Sequence, residues 1–466
     1  MLSELQTVNA SLKAADEALA LMAKMYPICR SITGDGVRRT LDLVEQVTPL
    51  ERTEIPTGSA AFDWEIPREW NIRDAYIADL EGHRLVDFRQ HNLHVVSYSA
   101  PVNRTMTLDE LQPHLHSLPD RPDWIPYRTS YYSENWGFCL RHKEREALGS
   151  GPFRVVVDSD LACGHLSYAE SVVQGSTDGE AIIYTHTCHP SLANDNLTGI
   201  AVAAALASAL RQDRPRLTWR FVFGPGTIGS LVWLSRNEDR LQRLQAGLVL
   251  GLLGDAGPLT YKRSRRGDTL TDRAAAYVLA HDSDRGVLTD FEPYGYDERQ
   301  FCSPGFDLPV GRLTRSSNAG YPEYHTSADD LSLIKRESLA SSVRAVASVM
   351  SVIDANRRVV NLSPKGEPQL GERGLYGKVG GAGPGELEHA LLWVLSLADG
   401  HHDLLAMAER SKLTFDLIEQ AARVLEDAAL LKSMAFGHDS TGAVCRCLDA
   451  SNYSPAINRK ETICRS

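Results

Sequence analysis

The stretch IIYTHTCHPSLANDNLTGIAVAAALASAL, Ile182 to Leu210, joins an apolar run to an alanine-rich run through two histidines, a cysteine and an aspartate. The first run, AIIYTHT, is short, β-branched and free of breakers, so it reads as a buried strand. Thr198–Arg211 carries good helix formers over a length that suits a helix. Strand and helix patterns then alternate: LTWRFVFG (strand), IGSLVWLSRN (helix), AGLVLGLLG (strand), DRAAAYVLAHD (helix) and LPVGRL (strand). This alternation predicts an α/β fold, a mixed but mostly parallel sheet flanked by helices. Ligands bind such sheets outside the carboxyl ends of the strands. His186, Cys188 and His189 fall at that end.

Outward from this centre, residues 1–51 read as helical. From about 52 to 130 the chain is rich in β-formers broken by Pro and Gly, as in FDWEIPREWNIRDAYIADLEGHRLVDF, which predicts a β-rich inserted lobe. The α/β domain is thus expected over 1–51 and 131–360, with FRVVVDSDL among its strands. A Gly/Pro-rich connector, NLSPKGEPQLGERGLYGKVGGAGPGE, precedes three short helical patterns over 385–435 that resemble a winged-helix unit. The lobe's Trp64, Trp70, Trp124, Tyr127, His91 and His94 suit a cover over the strand-end site, with a dimerisation module as the alternative.

Composition narrows the function classes. At 466 residues the chain exceeds one ordinary core. The 43% apolar and 23% charged content describes a globular protein, and no apolar run or amino-terminal signal suggests a membrane; a cytoplasmic location is the expectation. The net charge of −11 and the acidic FDLIEQAARVLEDA helix argue against nucleic acid as a partner, because a phosphate backbone attracts positive charge. A small-molecule or peptide-like substrate is expected, and homo-oligomerisation stays open. Eight cysteines form no Cys-x-x-Cys pair, which predicts reduced thiols rather than a zinc knuckle.

Imidazole and carboxylate at a rigid strand end suit zinc. Two further candidates lie downstream: Asp255 after the strand of GLVLGLLGDAG, and His325 in YPEYHTSADDL. His186, His189, Asp195, Asp255 and His325 are therefore the expected metal ligands. Cys188 reads as a packed thiol, and Asp329 and Asp330 as caps of the next helix.

Asp195 in NDNLTGI, Asp255 after a strand and His325 in YHTSADD resemble the ligands of the co-catalytic zinc aminopeptidases. There a strand ends in His-x-Asp and is followed by a bridging Asp, a Glu-Glu pair, a further acid and a late His. The chain is similar to bacterial aminopeptidase-like proteins often labelled as polysaccharide-biosynthesis proteins or as domains of unknown function. DWEIPREWNIRDAYI, PDWIPYRTSYYSENWGFC, THTCHPSLANDNLTG and YGYDERQFCSPGFDLPVG carry that resemblance over most of the chain. It implies a zinc-dependent hydrolase of an amide bond in a peptide-like or N-acylated substrate. Cys188 stands where the clan has Asp. FGPGTIGSLVWL puts Gly226 and Thr227 where it has the Glu-Glu pair, which supplies a zinc ligand and the general base. One zinc per chain is therefore expected, with two as the alternative, and the base must come from Glu298, Glu323 or Glu170. The competing expectation is a non-catalytic binding or scaffold protein on a peptidase fold.

Overall fold

The computed structural model describes residues 1–281, 286–317, 320–375 and 385–434. Cys445, Cys447, Cys464 and the middle of the Gly/Pro-rich connector lie outside them. Two compact units divide the chain near Asn356.

The first unit is built on an eight-stranded mixed sheet. Its centre is four parallel strands in the order Thr218–Gly224, Glu180–His186, Leu244–Leu250 and Val310–Thr314. Every residue of Glu180–His186 and Thr218–Gly224 is buried, as strands covered on both faces must be. From the His186 strand the chain crosses to one neighbour through the helix Thr198–Leu210. It then crosses back past the His186 strand to the other neighbour through Ile228–Arg236. The crossovers leave in opposite directions, so a crevice opens at the carboxyl end of the His186 strand.

Alternation along that strand sends Ile182, Tyr184 and His186 to one face. The opposite face meets Thr198–Leu210, which packs with the long helices Val8–Met25 and Arg336–Ala355. Gly199 makes the close approach possible: a Cβ there would sit 2.6 Å from both the Thr185 hydroxyl and Asn196 Oδ1. Arg336–Ala355 is, among the described residues, the one helix long and apolar enough to cross a membrane by composition, and 67% of that stretch is buried inside the protein.

The inserted lobe runs further than its composition suggests. Glu51–Pro56 and His165–Val173 pair antiparallel at the sheet edge, and the whole of 57–164 loops out between them. Phe153–Ala162, expected in the main sheet, instead pairs with Glu69–Ala78 and Val102–Met106 in a four-stranded antiparallel sheet. Its alternation buries Phe153, Val155 and Val157 on one side, the signature of a half-covered antiparallel strand. Lobe residues such as Trp70 and Val155 share one core with Tyr184, Trp233 and Phe301.

The second unit begins earlier than expected, because Arg358–Asn361 is the middle strand of a three-stranded antiparallel wing with Asp399–Asp403 and Leu431–Ser433. Helices Glu386–Leu397, Leu404–Ser411 and Phe415–Asp427 bury Leu391, Leu405 and Ile418. Asp403 and Thr414 cap the last two helices, and Lys412 takes the left-handed conformation between them. Cys29, Cys139, Cys188 and Cys302 are free thiols.

Candidate metal centre

The eleven-residue span after the His186 strand folds back so that Asp195 returns beneath it. Asp195 and Asn196 leave helical geometry, with φ/ψ of −109/85° and −143/37°. The turn is fastened from three sides. The Asp329 carboxylate accepts the backbone N–H groups of Asn194 (2.6 Å) and Asp195 (3.0 Å). The Asn194 side chain accepts from Gly254 N and donates to Asp255 Oδ2. Asn196 Nδ2 donates to Thr185 Oγ1 at 2.8 Å and to the His186 carbonyl at 3.1 Å. Asp195 is thereby held fully buried with both carboxylate oxygens turned to imidazoles.

Those imidazoles are three. His186 Nε2 lies 2.8 Å from Asp195 Oδ1, and His325 Nε2 lies 3.0 Å from Oδ2. His189 Nε2 is 3.9 Å from Oδ2. The ligand atoms of His186, His189 and Asp195 all lie within 4.8 Å of one another. Aromatic rings wall the group: Tyr296 stacks on His186 with centroids 5.0 Å apart, Tyr324 on His325 at 4.0 Å, and Tyr127 stands edge-on to both His189 and His325. Burial pushes Asp195 up, but the charge and hydrogen bonds of the imidazoles outweigh it and hold the carboxyl well below its usual range. Burial holds His189 down at about 3 against the pull of Asp195. Burial raises Asp329 to about 7, opposed by the N–H groups it accepts.

The other expected residues are placed differently. Asp255 turns away from the imidazoles: its oxygens accept from Asn194, from Gly257 N (2.7 Å) and from Ser316 Oγ (2.7 Å), so it secures the Asp195 turn from behind. Glu298 is wholly buried in a charge cluster, 2.8 Å from Lys262 Nζ and 3.5 Å from Arg312. Glu170 accepts from Trp233 Nε1 and lies 3.8 Å from Arg220. Glu323 is half-buried on the His325 loop, where its carbonyl accepts from Thr326. Cys188 is a packed thiol, donating to the Gly226 carbonyl at 3.6 Å, with burial pushing it up to about 12. Asp330 does cap the short turn that follows it.

A further buried acid packs beside Gly226. Asp297 is 1% exposed; its Oδ1 accepts from Ser230 Oγ at 2.7 Å, and its Oδ2 has no hydrogen-bond partner. Burial raises its carboxyl to about 6, against the influence of His186. The signal available in the sequence was its place in YGYDERQF beside the residue singled out there.

The lobe reaches this group. Tyr127 N donates to the His325 carbonyl at 2.8 Å, and Ser327 N to the Ile125 carbonyl. A cleft of about 340 Å³ opens beside His325, bounded by Arg121, Tyr127, Arg128 and Tyr324.

The donor set fits zinc: neutral imidazole and an ionised carboxylate, on a rigid strand end and an anchored turn. Comparison with known proteins agrees with the architecture. Residues 19–356 match the domain of unknown function DUF4910, and residues 357–433 match a winged helix-turn-helix family. A Clostridium acetobutylicum protein named as a polysaccharide biosynthesis protein with aminopeptidase-like domain is 46% identical over 426 residues, covering 91% of this chain and 98% of the relative. A crystal structure from the same organism, named as a peptidase, is 44% identical, covers 93% of this chain and 100% of its own, and superposes with a TM-score of 0.86. The Bacillus subtilis zinc aminopeptidase shares the fold alone, at 14% identity over 72% of this chain and 93% of its own, with a TM-score of 0.53. The chain belongs to the DUF4910 family of aminopeptidase-like proteins and carries a carboxyl-terminal winged helix-turn-helix.

Proposed function

We propose that the protein is a zinc-dependent hydrolase that cleaves an amide bond in a peptide-like or N-acylated small substrate. The observation that carries this reading is the convergence of His186, His189 and His325 on the two oxygens of buried Asp195, at the strand-end crevice. In this reading His186, Asp195 and His325 hold one zinc, and His189 completes the set. Zinc bound there supplies a Lewis acid and lowers the pKa of its water. Asp195 brings the negative charge that favours a divalent cation. Tyr127, Tyr296 and Tyr324 exclude bulk water and orient the imidazoles. Glu323, on the His325 loop and outside the ion pairs that occupy Glu298 and Glu170, is the acid left to accept a proton. The cleft beside His325 receives the substrate, whose small size follows from the lobe wall at Tyr127. A cytoplasmic location belongs to the same reading.

The test is turnover by the zinc-loaded protein on a panel of aminoacyl and N-acyl-amino-sugar amides, with Asp195→Asn as the control. Hydrolysis that Asp195→Asn abolishes supports the reading. Gly226 and Thr227 in place of a glutamate pair favour one second reading, a ligand-binding protein on a peptidase fold. That reading gains if the zinc-loaded protein binds panel members without cleaving any.

A further inference from the structure

The three imidazoles around Asp195 do not meet the outside equally. The His186 side chain is 1% exposed and that of His189 13%, against 35% for His325. The group therefore opens on the side of His325, into the cleft of about 340 Å³. Besides His325, the charged residues of that lining are Arg121, Arg128 and Asp120.

Among the described residues neither arginine forms an ion pair, with Asp120 or with any other carboxylate. Asp123, the next acid along the chain, is taken up by Lys143 at 2.7 Å. Arg121 donates to the Pro322 carbonyl and lies over the Trp124 ring at 4.9 Å, so neutral groups hold it and its charge stays uncancelled. Arg128 is exposed, but the backbone that carries it is clamped. Pro126 bridges to Thr326, Tyr127 N donates to the His325 carbonyl, and the Arg128 carbonyl accepts from Ser97 N at 2.9 Å. Burial, and then the Arg128 charge, hold His116 below its usual range, so this lobe neighbour of Arg128 is another base and not a counter-ion.

Two cations and one carboxylate leave the lining with one net positive charge, in a chain whose net charge is −11. An electropositive spot at the open side of the imidazole group is matched by an anionic ligand. One net charge suits a carboxylate monoanion better than a phosphate dianion, and guanidinium meets carboxylate through two parallel N–H bonds.

We propose that this cleft is a carboxylate subsite, in which Arg121 and Arg128 bind an acidic group on the non-reacting part of the substrate. The substrate class is then acidic amides: peptides with an acidic side chain, or N-acylated uronic sugars. This rests on the reading of the His186–Asp195 group as a hydrolytic centre served through the cleft.

The experiment uses zinc-loaded full-length protein at low salt, because exposed charges are screened. Calorimetry gives the dissociation constants of ligands that differ in one group. One set is N-acetylglucosaminuronic acid, N-acetylglucosamine and N-acetylglucosamine 6-phosphate; the other is alanyl-glutamate amide and alanyl-glutamine amide. Cleavage of the same compounds is followed separately. Each carboxylate should bind roughly 10-fold or more tightly than its neutral partner. Arg121→Gln and Arg128→Gln should each shrink that ratio, and Arg128→Glu should abolish it. Equal affinities in wild type, or no binding by any compound, overturn the proposal. A ratio untouched by all three variants does so too, since the anion then sits elsewhere, as does a phosphate bound more tightly than the carboxylate. A carboxylate preference that depends on Arg128, without cleavage of any compound, sustains the subsite and goes against the hydrolase reading.

Discussion

His325 Nε2 lies 3.0 Å from Asp195 Oδ2 although 130 positions separate the two residues. The contact closes the site between the strand end and a loop that follows the last central strand. His325 takes a positive φ of 56° there, and its carbonyl is held by Tyr127 N. His325→Ala should therefore lose more zinc affinity than the roughly 10- to 100-fold that removing an outer partner costs, with little change in thermal stability of the metal-free protein. Chelator competition and a melting curve measure both. Retained affinity would remove His325 from the ligand set.

Glu298 should be a residue of stability. Replacing it with Gln leaves Lys262 buried without its counter-charge, and breaking a buried pair in this way costs about 3–5 kcal/mol. Urea denaturation of Glu298→Gln should show that loss. A variant as stable as wild type but inactive would return Glu298 to the list of bases.

Tyr127→Leu should raise KM for small amide substrates while leaving zinc content and oligomeric state unchanged. The ring walls His189 and His325, and its hydroxyl is 2.6 Å from that of Tyr131. A changed oligomeric state with KM untouched would make the lobe an assembly surface instead.

The lobe is also tied to the first unit's amino-terminal helices by Glu69, which Arg38 contacts with two nitrogens at 2.7 Å and His165 N at 2.8 Å. The Arg38 hydrogen bonds, against burial, hold the Glu69 carboxyl down at about 2. A depressed folded pKa stabilises above the unfolded value near 4.5 and is lost as pH falls from there towards 2. Arg38 is partly solvated, so the contribution is about 1 kcal/mol. In urea melts at pH 7, 4 and 2.5, Glu69→Gln should be less stable at pH 7, and its deficit should shrink steadily towards the lowest pH. A constant difference across that range would refute the linkage.

Much of the site was legible because its chemistry is local. His186, His189 and Asp195 stand where a breaker-free apolar run hands over to a helix, and strand-end geometry does the rest. Asp255 misled because it too follows a strand. The chain turns through a positive φ at Leu252 and its carboxylate serves Asn194 instead. Glu298 is drawn instead to Lys262 and Arg312, while its neighbour Asp297 turns to Ser230; neighbouring side chains in a short helical turn diverge by about 100°. Phe153–Ala162 was readable as a strand, but which sheet it joins depends on Glu69–Ala78 and Val102–Met106, a non-local choice no window of sequence contains. The same holds for Arg358–Asn361, whose partners lie far along the chain.

The most direct test of the account is the metal content and coordination of the purified full-length protein. Elemental analysis should give about one zinc per chain, and X-ray absorption should show nitrogen and oxygen neighbours near 2.0–2.1 Å without a sulfur shell near 2.3 Å. Asp195→Ala should hold almost none. Two tightly bound equivalents, a sulfur ligand, or zinc retained in Asp195→Ala would contradict the centre described here.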